Sequence, residues 1–522
     1  MNTSEFLKIP AMMMPDKECV VFEDRRFTFG EVLDRVNRLA SAMAQEGVKQ
    51  GDKVAVLQTN CNQYLEAYYA TTMLGAVFVP LNFRAKKDEL VYMLNNSDAS
   101  TLFVGDQYVP LVRAMRPELP LVQRFISMES KHEDFLHYDD LLAQGSPEGV
   151  EEPEVDDNDT TVLMYTSGTT ALPKGVLLSY GGFVEYVFST TEPGTEETTD
   201  VVLLVAPIYH VAGCSALMTA VFGAKLLVIQ RQFEPTAWLE AVQNEKVTNA
   251  FVVPTMLKRI LDHPDFDKYD LSSLQMLSYG AAPMPLPVIR RAIEKFPKTC
   301  SFMNAFGQTE TTSTVTLLGP EDHRLEGTEE EIQKKLTRLA SIGRPAEDVT
   351  LLILDENGNA VPPGTIGEIA IQVPRAMSGY WKREEETSKT LVDGWIRTRD
   401  MGWIDEDGYV FLAGRMSDMI IRGGENIAPE QVEGVLNSHP AVDECAVIGI
   451  PSEDWGETVK AIVVLKKDAS VTEHELIQYC KQHMSSFKAP ESVEFTDELP
   501  RNSVGKILKN VLREKYKTTA KV

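Results

Sequence analysis

The sequence predicts an α/β protein: a mainly parallel sheet covered by helices, then a β-rich stretch, then a separate small α+β unit. Three observations predict it. Short apolar runs alternate with helix-period segments through the first two thirds of the chain. Between about Ile342 and Leu412 the texture changes to short strands and tight turns. After Arg415 a fresh unit begins, about a hundred residues of mixed character. A chain of 522 residues is also too long for one ordinary core.

The elements follow in order. "TFGEVLDRVNRLASAMAQEG" predicts a helix with Thr28 as N-cap, Glu31 completing a capping box, and a stop at Gly47. "KVAVLQ", "QYLEAYYATTMLGA" and "VFVPL" then read as strand, helix and strand, the β-α-β rhythm of a parallel sheet. The rhythm recurs in "KLLVIQ", "WLEAVQNEKV" and "NAFVVP", and again in "LQMLSYG" and "LPVIRRAIEKFP". "DENGN", "PPGTIGEIAIQV" and "DEDGYVFLAG" supply the turns and strands of the β-rich part. "MIIRGGENIAPEQVEGVLNSHP", "VDECAVIGIP", "VKAIVVLK", "TEHELIQYCKQHM" and "SVEFTDEL" make up the last unit, and the acidic "EGVEEPEVDDNDTT" reads as a solvated connection.

Composition narrows the function. The apolar fraction of 43% and charged fraction of 25% are those of a soluble globular protein. A formal net charge of -26 argues against binding nucleic acid or an anionic membrane, since phosphate attraction needs clustered Lys and Arg. It leaves room for one polyanionic small molecule held by a few local cations, a metal and backbone N–H groups. The six scattered cysteines carry no metal-ligand spacing and read as reduced thiols. With no signal-peptide h-region, no apolar run near the ~18 residues of a spanning helix, and no SKL-type C-terminus, the expectation is a cytoplasmic enzyme without stable membrane insertion. A homodimer is left open.

The motif with the most chemistry is "YTSGTTALPKGV", Tyr165–Val176. A Walker A loop is excluded: Pro173 and Gly175 stand where it needs Gly and Ser/Thr, and "VLLS" reads as strand instead of helix. A strand feeding hydroxyls, glycine and Lys174 can still wrap phosphate oxygens, although a polar surface turn has the same composition. In "NAFGQTETTS", Glu310 beside Thr309 could take Mg²⁺, and Phe306 beside Gly307 could stack on a base; a solvated Glu and a core Phe are the plain alternatives. Asp400 and Arg415 flank an expected hairpin, where a carboxylate could accept from two ribose hydroxyls. "RGGEN" lets backbone pass close to a ligand, Lys506 offers a compact cation, and "PIYHVAG" ends a strand with His210, where clefts open in α/β sheets.

These segments, in this order and spacing, resemble the adenylate-forming (ANL) superfamily, and within it the AMP-forming acyl-CoA synthetases of the fatty-acid and aryl type. The matching motifs are "YTSGTTALPKGV", "PIYH", "SYGAAPMP", "FGQTE", "SIGRP", "GEIAI", "RDMGWIDEDGYVFLAGR", "MIIRGGENIAPEQVE", "WGETVKAIVV" and "LPRNSVGKI", with "RFTFGEV" and "LGAVFVPLN" earlier, so the likeness spans nearly the whole chain. The resemblance implies an N-terminal domain (1–413) of two α/β subdomains and a β-subdomain, a hinge (414–418), and a small mobile C-terminal domain (419–522). It implies two steps: a small-molecule carboxylate and MgATP give acyl-AMP and pyrophosphate, then coenzyme A displaces AMP.

The resemblance also assigns residues. Thr166, Ser167, Gly168, Thr169, Thr170 and Lys174 would hold the β- and γ-phosphates of ATP. Gly280, Ala281, Ala282, Asn304, Ala305, Phe306, Gly307 and Gln308 would frame adenine. Thr309 would meet the α-phosphate and Glu310, assisted by Thr166, the Mg²⁺. Asp400 would bind the ribose with Arg415 beside it, and Lys506 would bridge carboxylate and α-phosphate. Gly423, Gly424 and Glu425 would line the pantetheine path of coenzyme A. His210, Val211, Ala212, Gly213, Phe251, Ala281 and Ala305 would line the acyl pocket, His210 at its mouth; being small or apolar, they suit a medium- or long-chain fatty acid or an aromatic or alicyclic acid. Departures from the family pattern are Ala171 and Arg399 at positions usually Gly, and Ser417–Asp418 at the hinge. Other superfamily chemistries differ in what they need. Amino-acid adenylation requires an acid that "YHVAGCSALM" lacks, while a carrier-protein acyl-AMP ligase, a luciferase-like oxygenase and a non-catalytic adenylate-binding module are separated by assay. The module would have lost Lys506 or Glu310, and both are present.

Overall fold

Strand runs without polar alternation imply sheets buried on both faces, and the computed structural model has two of them. It describes residues 1–166, 172–423, 425–452, 455–501 and 506–517, with Glu425 and Lys517 described in their backbone only. A nine-stranded sheet runs in the order Arg344–Pro345, Ser313–Leu318, Ser301–Gln308, Met276–Gly280, Asn249–Val252, Val201–Leu204, Leu226–Ile229, Glu18–Phe22, Arg25–Thr28. Its centre is parallel and its edges antiparallel. An eight-stranded sheet runs Gly379–Tyr380, Lys174–Ser179, Thr160–Thr166, Val77–Pro80, Lys53–Leu57, Ala99–Val104, Arg124–Ser127, Leu136–His137.

Side-chain alternation distributes each strand between two cores. Val20 and Phe22 enter a core shared with Val54, Val56, Phe78 and Val162 of the other sheet, while Val21 enters the outer core of its own. Ala55 and Leu57 likewise face a separate outer core. The Asn62–Met73 helix lies in the shared layer, with all its residues buried. The Phe29–Gln45 helix begins as the sequence predicts: Glu31 N–H donates to Thr28 Oγ1 (3.2 Å) and Thr28 N–H to Glu31 Oε2 (2.8 Å).

The β-rich stretch forms a five-stranded sheet of Thr350–Leu354, Gly367–Gln372, Trp395–Ile404, Leu391–Val392 and Val410–Arg415. Arg344–Pro345, at the start of that stretch, joins the nine-stranded sheet instead, because Arg344 and Pro345 pair with Leu317 and Thr316. A second five-stranded sheet, from Ile420–Arg422 to Ser492–Phe495, has its own core around Ile420, Val447 and Val463. Lys258 reaches across to it and pairs with Asp443 at 3.0 Å.

The acidic stretch expected to be a solvated connection is fixed at several points, among them Glu154, Asp157 and Asp159, whose oxygens accept from Gln50, Met1 and Tyr180. Glu152 accepts from Ser4 Oγ at 2.8 Å and from Lys8 Nζ at 3.0 Å, clamping the Glu5–Met13 helix whose Phe6 and Leu7 are buried. In the shared layer Glu66 is buried and fully partnered. Arg35 donates to it at 3.0 and 2.9 Å, Asn62 at 2.6 Å and Tyr138 at 2.5 Å. Removing one member of such a pair strands the other charge. Glu66→Ala is expected to cost about 3 kcal/mol, the low end of the range for a buried pair because Arg35 keeps some water, measured as a lower urea midpoint.

Candidate active site

The two strands that flank the hydroxyl-rich loop form a hairpin. Thr160–Thr166 and Lys174–Ser179 pair antiparallel, with Thr166 opposite Lys174 at the loop's base. No helix follows, as the exclusion of a Walker loop expects. Ser167, Gly168, Thr169, Thr170 and Ala171 lie outside the described residues.

Lys174 is buried, and its Nζ lies 2.5 Å from Glu386 Oε2 and 5.2 Å from the centre of the Tyr380 ring. Tyr380 Oη donates to Glu310 Oε1 at 2.7 Å. Tyr380 is delivered by the two-residue edge strand that pairs with Val176 and Leu177, and Met377 N–H fixes the Glu310 carbonyl at 2.8 Å. A chain of contacts therefore runs from Lys174 through Tyr380 to Glu310. Sequence reasoning missed Tyr380 and Glu386: both stand in "GYWKREEET", a segment with no local signature of a site.

A second cluster forms around Asp400. The hairpin expected there exists, with Asp400 opposite Arg415. Arg415 Nε lies 2.7 Å from Asp400 Oδ1, and Gln308 Nε2 donates to Oδ2 at 2.5 Å. Burial raises the Asp400 pKa, while Arg415, Lys506 and the Gln308 hydrogen bond oppose that rise. Lys506 sits on the rim, exposed. Surrounding protein and then Arg415 lower its pKa, while Asp400, Asp418 and Glu430 act the other way. Gln308, Asp400, Arg415 and Lys506 thus come together from four segments.

Arg399 stands in the left-handed region at φ 58°, a conformation in which glycine is unstrained, and this explains why glycine is usual there. Glu368 holds it by accepting from the Arg399 N–H at 3.0 Å.

The strands next to Gln308 build a floor. Phe251, Ser278 and Met303 occupy matching positions on three neighbouring parallel strands, with Gly280 beside Ala305 two residues on. Phe251, Ser278, Met303 and Ala305 are partly exposed, whereas Val252, Leu277 and Tyr279 on the other face are buried. A Cβ on Gly280 would lie 2.1 Å from the Ala305 carbonyl oxygen, and Ala281 leaves the strand at φ 65°. Ala282 follows, partly exposed. Phe306 packs against the β-subdomain core, and a Cβ on Gly307 would meet the Ser313 carbonyl oxygen at 2.0 Å. Thr309 is buried in the following turn. Asn304 points to the buried face beside Tyr279, so only its backbone faces the floor. Ser278 and Met303 were not singled out from sequence, because only strand register aligns them with Phe251.

His210 requires a correction. It does not end the strand, which stops at Leu204; it is the N-cap of the Val211–Phe222 helix, accepting from Ala212 N–H on Nδ1 at 3.3 Å. Pro207 has no N–H to give a ladder, so the chain leaves the sheet there and turns to start the helix instead. Nδ1 is an acceptor there, so the proton is assigned to Nε2. Desolvation lowers the His210 pKa to about 4. Val211 and Gly213 are buried and Ala212 partly exposed. Gly423, at φ 57°, packs on Trp455; Gly424 and the side chain of Glu425 lie outside the described residues. Among the described residues no group of three or more His, Cys, Asp and Glu could hold a metal.

Two family models match the chain: AMP-binding enzyme over residues 8–381 and AMP-binding enzyme C-terminal domain over residues 431–506. A feruloyl-CoA synthase of Amycolatopsis sp is 36% identical over 511 residues, 97% of either chain. An indoleacetate–CoA ligase of Aromatoleum aromaticum is 32% identical over 515 residues, 98% of either chain. Among solved structures, the anthranilate CoA ligase AuaEII in complex with anthranoyl-AMP superposes with a TM-score of 0.89 at 26% identity, covering 100% of this chain and 98% of that one.

The imidazoles of His210 and His323 are both pushed by burial to about 4 from an ordinary 6.5. The folded state therefore binds fewer protons than the unfolded one across that interval, so stability falls as pH drops from 6.5 towards 4. In an NMR titration of the eight histidines, these two rings are expected to stay neutral at pH 5.5, where a ring of ordinary pKa is mostly charged.

Proposed function

The chain belongs to the AMP-binding enzyme family of the adenylate-forming superfamily, and on that premise we propose that it is an AMP-forming acyl-CoA synthetase for an aromatic or alicyclic carboxylic acid. The observation that carries this reading is the meeting of Gln308, Asp400, Arg415 and Lys506 beside the Phe251–Ser278–Met303 floor. A nucleotide site and an apolar acyl site then adjoin. The similarity to ligases of feruloyl, indoleacetyl and anthraniloyl groups supports an aryl substrate.

In the first step a carboxylate oxygen attacks the α-phosphorus of ATP, and the bond to the pyrophosphate oxygen breaks. Lys506 lies between the two anions and offsets their repulsion, an effect that grows in a cleft closed to water. Asp400 accepts from the ribose hydroxyls, Arg415 keeps it ionised, and Thr309 meets the α-phosphate. Gly280, Ala281, Ala282 and the Asn304–Gln308 run frame adenine, with Phe306 on its face. Thr166, the loop residues Ser167, Gly168, Thr169 and Thr170, and Lys174 take the departing phosphates.

Mg²⁺ would be held by Glu310, assisted by Thr166, and would supply charge neutralisation to the polyphosphate. The residues fit: one carboxylate at a turn suits an ion that fills its shell with phosphate oxygens and water. In the second step the coenzyme A thiolate attacks the acyl carbon and AMP leaves. The 419–522 unit turns about 414–418 between steps, and Gly423, Gly424 and Glu425 line the pantetheine path. His210, neutral and carrying its proton on Nε2, can donate to the carboxylate at the pocket mouth.

Two measurements test this. Lys506→Ala is expected to lose acyl-AMP formation by about 10²–10³-fold while thioester formation from supplied acyl-AMP falls far less; equal loss of both steps refutes the role. In a panel of carboxylates, kcat/KM for coenzyme A-dependent AMP release should peak on aryl or alicyclic acids. A peak on medium-chain fatty acids overturns the substrate class, and ATP binding without turnover overturns the enzyme reading.

A further inference from the structure

Lys174 begins its strand directly after the hydroxyl-rich loop, and its side chain is only 9% exposed. A lysine so enclosed needs a counter-charge. Glu386 supplies it from the Glu384–Thr390 helix, with Oε2 2.5 Å from Nζ. The other Glu386 oxygen is tied to Arg383 at 2.6 Å, so the carboxylate is held on a second cation of its own helix turn. Burial pushes the Glu386 carboxyl up, but Lys174 and Arg383 together keep it below its ordinary range.

A polyphosphate arriving at the loop therefore meets a lysine already paired. It must draw Lys174 away from Glu386 and approach a fixed negative charge, and both cost binding free energy. Arg383 allows Glu386 to stay ionised and in place when Lys174 leaves.

We propose, on the reading that Lys174 meets the terminal phosphates of ATP, that Glu386 is a resident counter-charge which the polyphosphate displaces. It is a positioning residue that weakens nucleotide binding, and so eases release of pyrophosphate, without touching the reacting atoms.

The test uses the full chain, with MgATP and inorganic tripolyphosphate as probes. Glu386→Gln keeps the shape and removes the charge. Its nucleotide-free melting temperature should fall, because Lys174 loses its partner. Its calorimetric Kd for tripolyphosphate and its KM for MgATP should both drop by about tenfold, near the scale of one opposing charge at contact distance in well-hydrated surroundings. In a Lys174→Met background the same substitution should give a smaller gain, because only the approach to the Glu386 charge is relieved there. Unchanged or weaker tripolyphosphate binding by E386Q overturns the proposal, and so does a gain of equal size in the Lys174→Met background, which would mark a general effect of net charge. Should E386Q fail to fold, Glu386→Asp, which draws the acid back by one methylene, is expected to bind tripolyphosphate more tightly than the parent; weaker binding overturns the proposal. Tripolyphosphate binding needs no turnover. A parent enzyme without carboxylate-dependent pyrophosphate release would sink the synthetase reading while leaving these binding outcomes to decide on Glu386.

Discussion

A buried carboxylate needs compensating charge and hydrogen bonds, and Asp400 draws them from three structural units. Gln308 comes from the nine-stranded sheet, Arg415 from the partner strand of the β-subdomain hairpin, and Lys506 from the C-terminal unit. Gln308 and Arg415 bond its two oxygens and Lys506 adds charge alone, so the relative placement of the three units is coupled to the balance of charge at Asp400. Thr398 reinforces the point from below, donating to the Ile369 carbonyl at 2.6 Å and accepting from the Asp400 N–H at 3.1 Å. Asp400 thereby ties the nine-stranded sheet to the β-subdomain as well as being a candidate ligand group.

Much of the fold was legible because it rests on local rules. Apolar runs without alternation signalled strands buried on both faces, and Val20, Val21 and Phe22 divide between two cores accordingly. The Thr28 capping box is a four-residue pattern and formed as read. The exclusion of a Walker loop was legible from Pro173 and Gly175, and the antiparallel hairpin found in place of a following helix agrees.

What escaped depends on contacts between distant segments. Glu386 stands 212 positions from Lys174, in a run of three glutamates that reads as solvated helix surface. Tyr380 reaches Glu310 through an edge strand of two residues, too short to leave a periodic trace. Ser278 and Met303 share a row with Phe251 only through inter-strand register, which sequence does not carry. His210 was misplaced because a polar residue after a strand resembles a strand end as much as a helix cap. The backbone around the site shares this non-local logic. Ala281, Arg399, Thr312 and Ser313 all hold positive φ, a strain of about 1–3 kcal/mol each that surrounding structure must offset.

The six cysteines have a practical consequence. All are free and buried, and desolvation is the main force pushing their thiols up, Cys61, Cys214 and Cys300 to about 12 and Cys480 to about 11. A thiol reacts as its thiolate, so the folded chain presents almost no nucleophilic sulfur at neutral pH. A colorimetric thiol reagent added to a reaction mixture would then read the acceptor's sulfhydryl alone, and its disappearance could be followed continuously against a silent protein background.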